Sequence, residues 1–196
     1  MKNKDYKIVI TGVGGQGIIT LARVLARAAS LDGYQVKVTE VHGLAQRGGH
    51  VWCHVTFGKK VFSPLVPKAE ANCLISLEPL ETLRQVSYLN KKTKVFFNQE
   101  KVLPISMATD KKPYPSLKKI TQQLKTISPQ VRSVDATHEV YELTGETTAV
   151  NIFMLGLAWA NQGLPLSEKS ILASLKSVIK PQYFSVNQKI FKFAQK

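Results

Sequence analysis

Apolar positions along this chain change period several times, and each change marks an element. Lys7 to Thr11 is a short β-branched run that enters glycine, the pattern of a buried first strand. From Gly17 to Leu31 the apolar residues Ile18, Leu21, Ala22, Leu25 and Ala29 repeat at helical spacing, and Asp32-Gly33 closes that helix. Val36 to Glu40 is a second strand. The order strand, glycine turn, helix, strand opens a dinucleotide-type fold. His50 to Phe57 alternates and reaches Gly58-Lys59-Lys60 before Val61-Phe62, which predicts an inserted β-hairpin turning at those residues. The prolines of Ser63-Pro64-Leu65-Val66-Pro67 keep the next segment extended.

Cys73 to Leu77, Val95 to Asn98 and Val131 to Asp135 read as further strands, and Pro79 opens a helix at a tolerated first-turn position. Pro104 to Pro115, rich in proline and lysine, predicts a mobile connection. The remainder is helical. Thr147 to Asn161 is apolar on nearly every face, so a partner is expected to cover one side of it, as in a homodimer of the isolated chain. Ser167 caps the next helix, with Leu166 and Ile171 as a hydrophobic staple, and Ser185 to Phe193 forms a short last helix. The expected fold class is α/β: a Rossmann-like, mainly parallel sheet with an inserted β-hairpin and a helical C-terminal segment. No repeat or boundary divides it, so residues 1–196 read as a single domain.

Composition narrows the function classes. The 196 residues carry 27 Lys and Arg against 13 Asp and Glu, a formal charge of +14. The lysines are scattered, as on a solubilising surface; docking to an acidic partner or ligand is the functional alternative. The basic clusters lack interleaved aromatics, which argues against nucleic acid. Cys53 and Cys73 are too few and too far apart for a CxxC metal motif or a self-contained iron–sulfur site, so two buried free thiols are expected. The first residues have no apolar signal region, and the most apolar stretch, Ala149 to Ala160, is too short to span a bilayer. A cytoplasmic protein without membrane contact is the expectation.

Two glycine-rich segments hold the candidate chemistry. Gly12-Val13-Gly14-Gly15-Gln16-Gly17 follows a strand and opens a helix, the context in which G-x-G-x-x-G lets backbone amides approach a phosphate. The alternative is a tight turn without a ligand. His42-Gly43-Leu44-Ala45-Gln46-Arg47-Gly48-Gly49 follows about one βαβ unit later, and both bends are expected at the ends of adjacent strands. Gln16 offers an amide to a phosphate or ribose. Arg47 offers a guanidinium fork for an anion, and His42 either braces the loop or binds. Glu40, 23 residues past Gly17, stands where a dinucleotide enzyme holds a ribose hydroxyl, or else pairs with Arg47 or solvent. No catalytic residue emerges, because there is no G-x-S-x-G elbow and no histidine–carboxylate pairing near a cysteine or serine, and no metal site, because His50 and His54 have no carboxylate at ligand spacing.

The strings G-V-G-G-Q-G-I, T-E-V-H-G-L-A-Q-R-G-G, F-S-P-L-V-P and L-E-P-L-E-T-L-R resemble the gamma-type subunit of 2-oxoacid:ferredoxin oxidoreductases, in particular the small beta subunit of indolepyruvate:ferredoxin oxidoreductases. A-V-N-I-F-M-L-G and S-V-N-Q-K-I-F-K-F fit the same subunit, so the resemblance runs nearly the whole length. It implies a non-catalytic subunit, inactive alone, that completes the site of a CoA-dependent oxidative decarboxylation of an aryl pyruvate. Thiamine diphosphate, magnesium and iron–sulfur clusters would lie on a larger alpha subunit, with ferredoxin as electron acceptor through the complex. Coenzyme A would be contacted by Gly12, Gly14, Gly15, Gln16, Gly17, Glu40, His42, Gln46, Arg47 and Gly48. An autonomous NAD(P)- or nucleotide-binding protein is the alternative.

Overall fold

A computed structural model describes residues 5–42, 49–102 and 114–196. Its centre is a six-stranded sheet in the order β2-β3-β1-β4-β5-β6. The strands are β1 Tyr6–Val13, β2 Gln35–His42, β3 His50–Gly58, β4 Cys73–Ser76, β5 Lys94–Asn98 and β6 Val131–Val134. β1, β4, β5 and β6 are parallel neighbours. β3 runs against both β1 and β2. The sheet is therefore mainly parallel, as expected, but the inserted hairpin has other arms. β3 pairs antiparallel with β2, and Val61-Phe62 forms no strand. Alternation identified the strand; it does not identify the strand's neighbours.

Seven helices follow in chain order among the described residues: α1 Ile18–Leu31, α2 Pro79–Arg84, α3 Leu117–Ile127, α4 Ala136–Thr144, α5 Val150–Ala160, α6 Glu168–Val178 and α7 Pro181–Phe193. The pleat sends alternate strand residues into two cores. Ile8, Ile10, Cys53, Val55, Phe57, Cys73, Ile75 and Phe96 meet α1, α4, α5, α6 and α7 on one face. Val9, Leu74, Val95 and Phe97 meet α3 and the segment around Val66 and Ala71 on the other.

α5 is buried on all sides by its own chain: Ile152, Met154, Leu155 and Ala158 are fully buried, among α1, α4, α7, β4 and β5. At Gly156 an added Cβ would lie 2.5 Å from the Phe191 carbonyl, so α7 covers it directly. This corrects the expectation that a partner, or a second copy, shields this helix. α7 is longer than the last helix read from sequence because Pro181 starts it at a first-turn position. Ser167 caps α6 as expected, accepting from the Ser170 amide. Asp32, at the end of α1, accepts from the Ser167 amide and from both serine hydroxyls, joining two distant helices. Partial burial pushes its pKa up, but these hydrogen bonds prevail and hold it below the ordinary value. Cys53 and Cys73 are buried free thiols, and burial foremost pushes Cys53 up to about 12. No described helix is long and apolar enough to cross a membrane.

Candidate functional site

Chain direction reverses across the sheet at β1. From β1 the chain moves through α1 to β2 on one side, whereas β4, β5 and β6 extend the sheet on the other. Such a switch leaves a crevice outside the carboxyl ends of the strands. A cleft of about 440 Å³ lies there, lined by Gly15, Gln16 and Gly17 beyond β1, Leu77 beyond β4, Glu100 and Val102 beyond β5, and Thr147 to Asn151 at the start of α5. Its size suits a small-molecule group.

Two helices begin at this cleft. Gly17 (φ +79°) is the N-cap of α1 and Ala149 (φ +66°) that of α5, and neither helix has a side-chain cap or an acidic residue in its first turn. A first helical turn leaves amide N–H groups without intrahelical partners, at the positive end of the helix dipole. The cleft thus receives the first-turn amides of both helices, except that of Ile152, which is spent on the Ala149 carbonyl at 2.9 Å. Asn151 Nδ2 donates to the Gly17 carbonyl at 3.0 Å and ties the helix starts together. Ala149 holds a left-handed conformation costing about 1–2 kcal/mol for a residue with a Cβ. Strain of this kind accumulates where geometry serves a site.

The glycine loop is more self-contained than its sequence implies. Gln16 folds back: its Oε1 accepts from the Val13 amide at 2.8 Å, and its Nε2 donates to the Leu77 carbonyl at 3.0 Å. The Gln16 backbone amide bonds to Val13 and the Gly14 amide to Gly49. Gly12 makes room for this arrangement, since a Cβ there would lie 2.7 Å from Gln16 Oε1. Gln16, Gly12 and Gly14 therefore shape the bend, and Gly15 and Gly17 line the cleft. The Gly14–Gly49 bond, 2.9 Å long, also brings the end of the second glycine-rich segment against the first.

β3 lies between β1 and β2, so the two bends do not rise from adjacent strands as expected; their strands stand about 10 Å apart, two strand spacings. Glu40 is exposed on edge strand β2, opposite Cys53, and does not line the cleft. His42 ends β2, opposite Val51. Its side chain lies outside the described residues, as do Gln46, Arg47 and Gly48. Sequence reasoning missed Glu100, Thr147, Thr148, Ala149 and Asn151; the string A-V-N-I-F-M-L-G gave their region no chemical reading.

A histidine–carboxylate pair, invisible in sequence, stands at the same edge. Glu81, on α2, is fully buried and accepts from or pairs with His50 Nδ1; His50 Nε2 faces the Gln85 amide at 3.2 Å. Glu78, also fully buried, caps α2 by accepting from the Glu81 amide at 2.8 Å and takes a bond from the Tyr114 hydroxyl. Burial raises the Glu78 pKa, against the lowering effect of those two bonds. Both His50 nitrogens are occupied, which makes it a brace for the start of β3. His50→Ala should cost about 2 kcal/mol by leaving a buried carboxylate short of a partner, measured by urea unfolding at neutral pH. Among the described residues no three metal-ligating side chains converge, and the two cysteines are enclosed in the core; the unspent amides instead suit an anion.

Known proteins share this fold and sequence. The model of the pyruvate ferredoxin/flavodoxin oxidoreductase family matches residues 7–196. Indolepyruvate oxidoreductase subunit IorB of Thermococcus kodakarensis is 37% identical over 196 residues, covering 98% of this chain and 96% of that protein. The gamma subunit of a keto/oxoacid ferredoxin oxidoreductase from Geobacter sulfurreducens superposes with a TM-score of 0.70 at 20% identity, over 97% of this chain and 96% of that one. A 2-oxoglutarate:ferredoxin oxidoreductase from Magnetococcus marinus, solved with 2-oxoglutarate, coenzyme A and succinyl-CoA bound, superposes with a TM-score of 0.73 at 15% identity, over 99% of this chain and 31% of that one.

Proposed function

We propose, for a chain that belongs to the pyruvate ferredoxin/flavodoxin oxidoreductase family, that it is the non-catalytic small subunit of a 2-oxoacid:ferredoxin oxidoreductase acting on indolepyruvate or another aryl pyruvate. The observation that carries this reading is the meeting of two uncapped helix starts in one cleft at the carboxyl edge of the sheet. Such a cleft suits the phosphate groups of coenzyme A. In the assembled enzyme the amides of α1 and α5 would hold that anionic part and so orient the thiol of coenzyme A toward the partner chain. Arg47, Gln46, Gly48 and His42 are the further residues assigned to this ligand, and Gly49, just after them, accepts from the Gly14 amide.

Thiamine diphosphate with magnesium, bound on the larger alpha subunit, supplies the carbanion-stabilising chemistry, and iron–sulfur clusters there carry the electrons to ferredoxin. This chain contributes binding and orientation. Relatives named as indolepyruvate oxidoreductase subunits support the aryl substrate. An autonomous NAD(P)-binding protein is not favoured, because Glu40 stands two strands from β1 and outside the cleft.

The isolated chain should be inactive. Mixed with its cluster-bearing larger chain, it should restore CoA-dependent ferredoxin reduction with indolepyruvate or phenylpyruvate; no restoration would overturn the reading. In that complex Arg47→Ala should raise the coenzyme A requirement at least tenfold, about 1.4 kcal/mol. An unchanged requirement would remove Arg47 from the anion site.

A further inference from the structure

We infer that the arch from Phe62 to Pro67 is the knob by which this chain docks on the larger subunit, seated in an apolar recess rimmed by carboxylates. The inference rests on the small-subunit reading above. Phe62 is 76% exposed and Leu65 56%, whereas Val61 and Val66 on either side are buried at 5% and 3%. Two large apolar side chains are thus held in water by a segment whose flanks are anchored in the core.

The arch is fixed by named bonds. The Val66 amide donates to His54 Nδ1 at 3.0 Å, and the Leu65 amide to Ser63 Oγ at 3.1 Å. Lys37 Nζ donates to the Phe62 carbonyl at 3.0 Å, and the Val61 amide to Gln35 Oε1 at 3.3 Å. Pro64 and Pro67 restrict the backbone further. Both side chains are therefore presented in a conformation already set before any partner arrives, which lowers the entropy lost on binding.

Charge specifies the partner's side. Exposed Lys37, Lys59, Lys60 and Lys68 surround the arch, and Lys60 Nζ lies 5.2 Å from the centre of the Phe62 ring. Between Gly58 and Ala71 the one carboxylate is Glu70, and Lys7 holds it. An apolar pair inside a positive rim matches an apolar recess with a negative rim; the rim speeds encounter and the apolar pair carries the affinity. It also gives the scattered positive charge a local purpose beyond solubility. The arch stands beside β3, on the sheet face away from α1, so docking there leaves the cleft accessible.

The test uses the larger subunit with its clusters intact and measures the dissociation constant and the ferredoxin-reduction rate. Phe62→Ser/Leu65→Ser should melt like the wild type but bind the larger subunit at least 30-fold more weakly. Its rate should recover when the small subunit is in excess. Lys59→Glu/Lys60→Glu should slow association and flatten its salt dependence. If the serine variant binds as tightly as the wild type, the docking surface lies elsewhere and the inference falls while the small-subunit reading stands. Loss of self-association alone, with binding to the larger subunit unchanged, would make the knob a contact between copies and overturn the inference too. Failure of the wild type to bind at all would refute the small-subunit reading itself.

Discussion

Gly17→Ala should cost this chain about 2–3 kcal/mol of stability and reduce the CoA-dependent rate of the assembled enzyme by about 100-fold at limiting coenzyme A. Two separate penalties produce the first figure. The residue sits at φ +79°, where a Cβ costs about 1–2 kcal/mol. That Cβ would also stand 2.5 Å from Asn151 Nδ2, so the bond from Asn151 to the Gly17 carbonyl must break, at about 1 kcal/mol. The functional loss has a different origin. The same bond holds the starts of α1 and α5 together, and moving one start from the other misaligns the two sets of amides. A misplacement of about 1 Å is enough for a loss of that order.

Gly33→Ala, beyond the far end of α1 and outside the cleft, is the control. It also forces a Cβ into positive φ, at +84°, but no atom lies within 4 Å of that Cβ. It should therefore show the conformational penalty alone and keep most of the coenzyme A affinity. Urea unfolding of the isolated chain and titration of coenzyme A against the complex separate the two effects. Equal loss of affinity in both variants would place the cause in backbone strain rather than in the Asn151 tie.

Acidification from pH 7 toward pH 4 should remove up to about 3 kcal/mol through His54 alone. Its side chain is 1% exposed, and burial lowers its pKa to about 4 from an ordinary 6.5. Nδ1 accepts from the Val66 amide, so the neutral ring is the form the fold requires. The Trp52 and Tyr88 rings pack against it at 4.6 and 4.9 Å between centres, leaving a proton on the imidazole little solvation. Below about pH 6.5 the unfolded chain takes up a proton that the folded chain refuses. The contribution is full above that pH and declines steadily until the folded pKa is reached. Asp32 acts in a lower window, because its depressed pKa keeps its bonds to Ser167 and Ser170 until the pH falls below the usual carboxylate range. His54→Gln keeps an acceptor and cannot titrate. Its unfolding free energy should fall less than that of the wild type between pH 7 and pH 4.5, and an identical slope would show that His54 is not the group responsible.

The strands with continuous apolar runs and the amphipathic α1 were legible because period and composition agreed there. α3 was not: a helix between polar ends, it buries Ile120 and Leu124 as its fully enclosed apolar anchors, too short a stripe to stand out. The covering of α5 is not legible in the sequence, which shows α7 only from Ser185, four residues after its start at Pro181, and so leaves too little chain to enclose α5. Neighbour identity was the other gap. Alternation marked β3, yet its insertion between β1 and β2 follows from long-range pairing. The His50–Glu81 pair, 31 residues apart, depends on the same register. The site was half legible. The glycine spacing led to the start of α1, but the second helix start came from a segment read only as apolar.

The most direct measurement is the structure of the assembled oxidoreductase with coenzyme A bound. Phosphate oxygens should lie within hydrogen-bond distance of first-turn amides of α1 and α5, near Gly17 and Ala149. Coenzyme A phosphates bound wholly elsewhere, with this cleft filled by a side chain of the partner, would contradict the anion-holding role of the two helix starts.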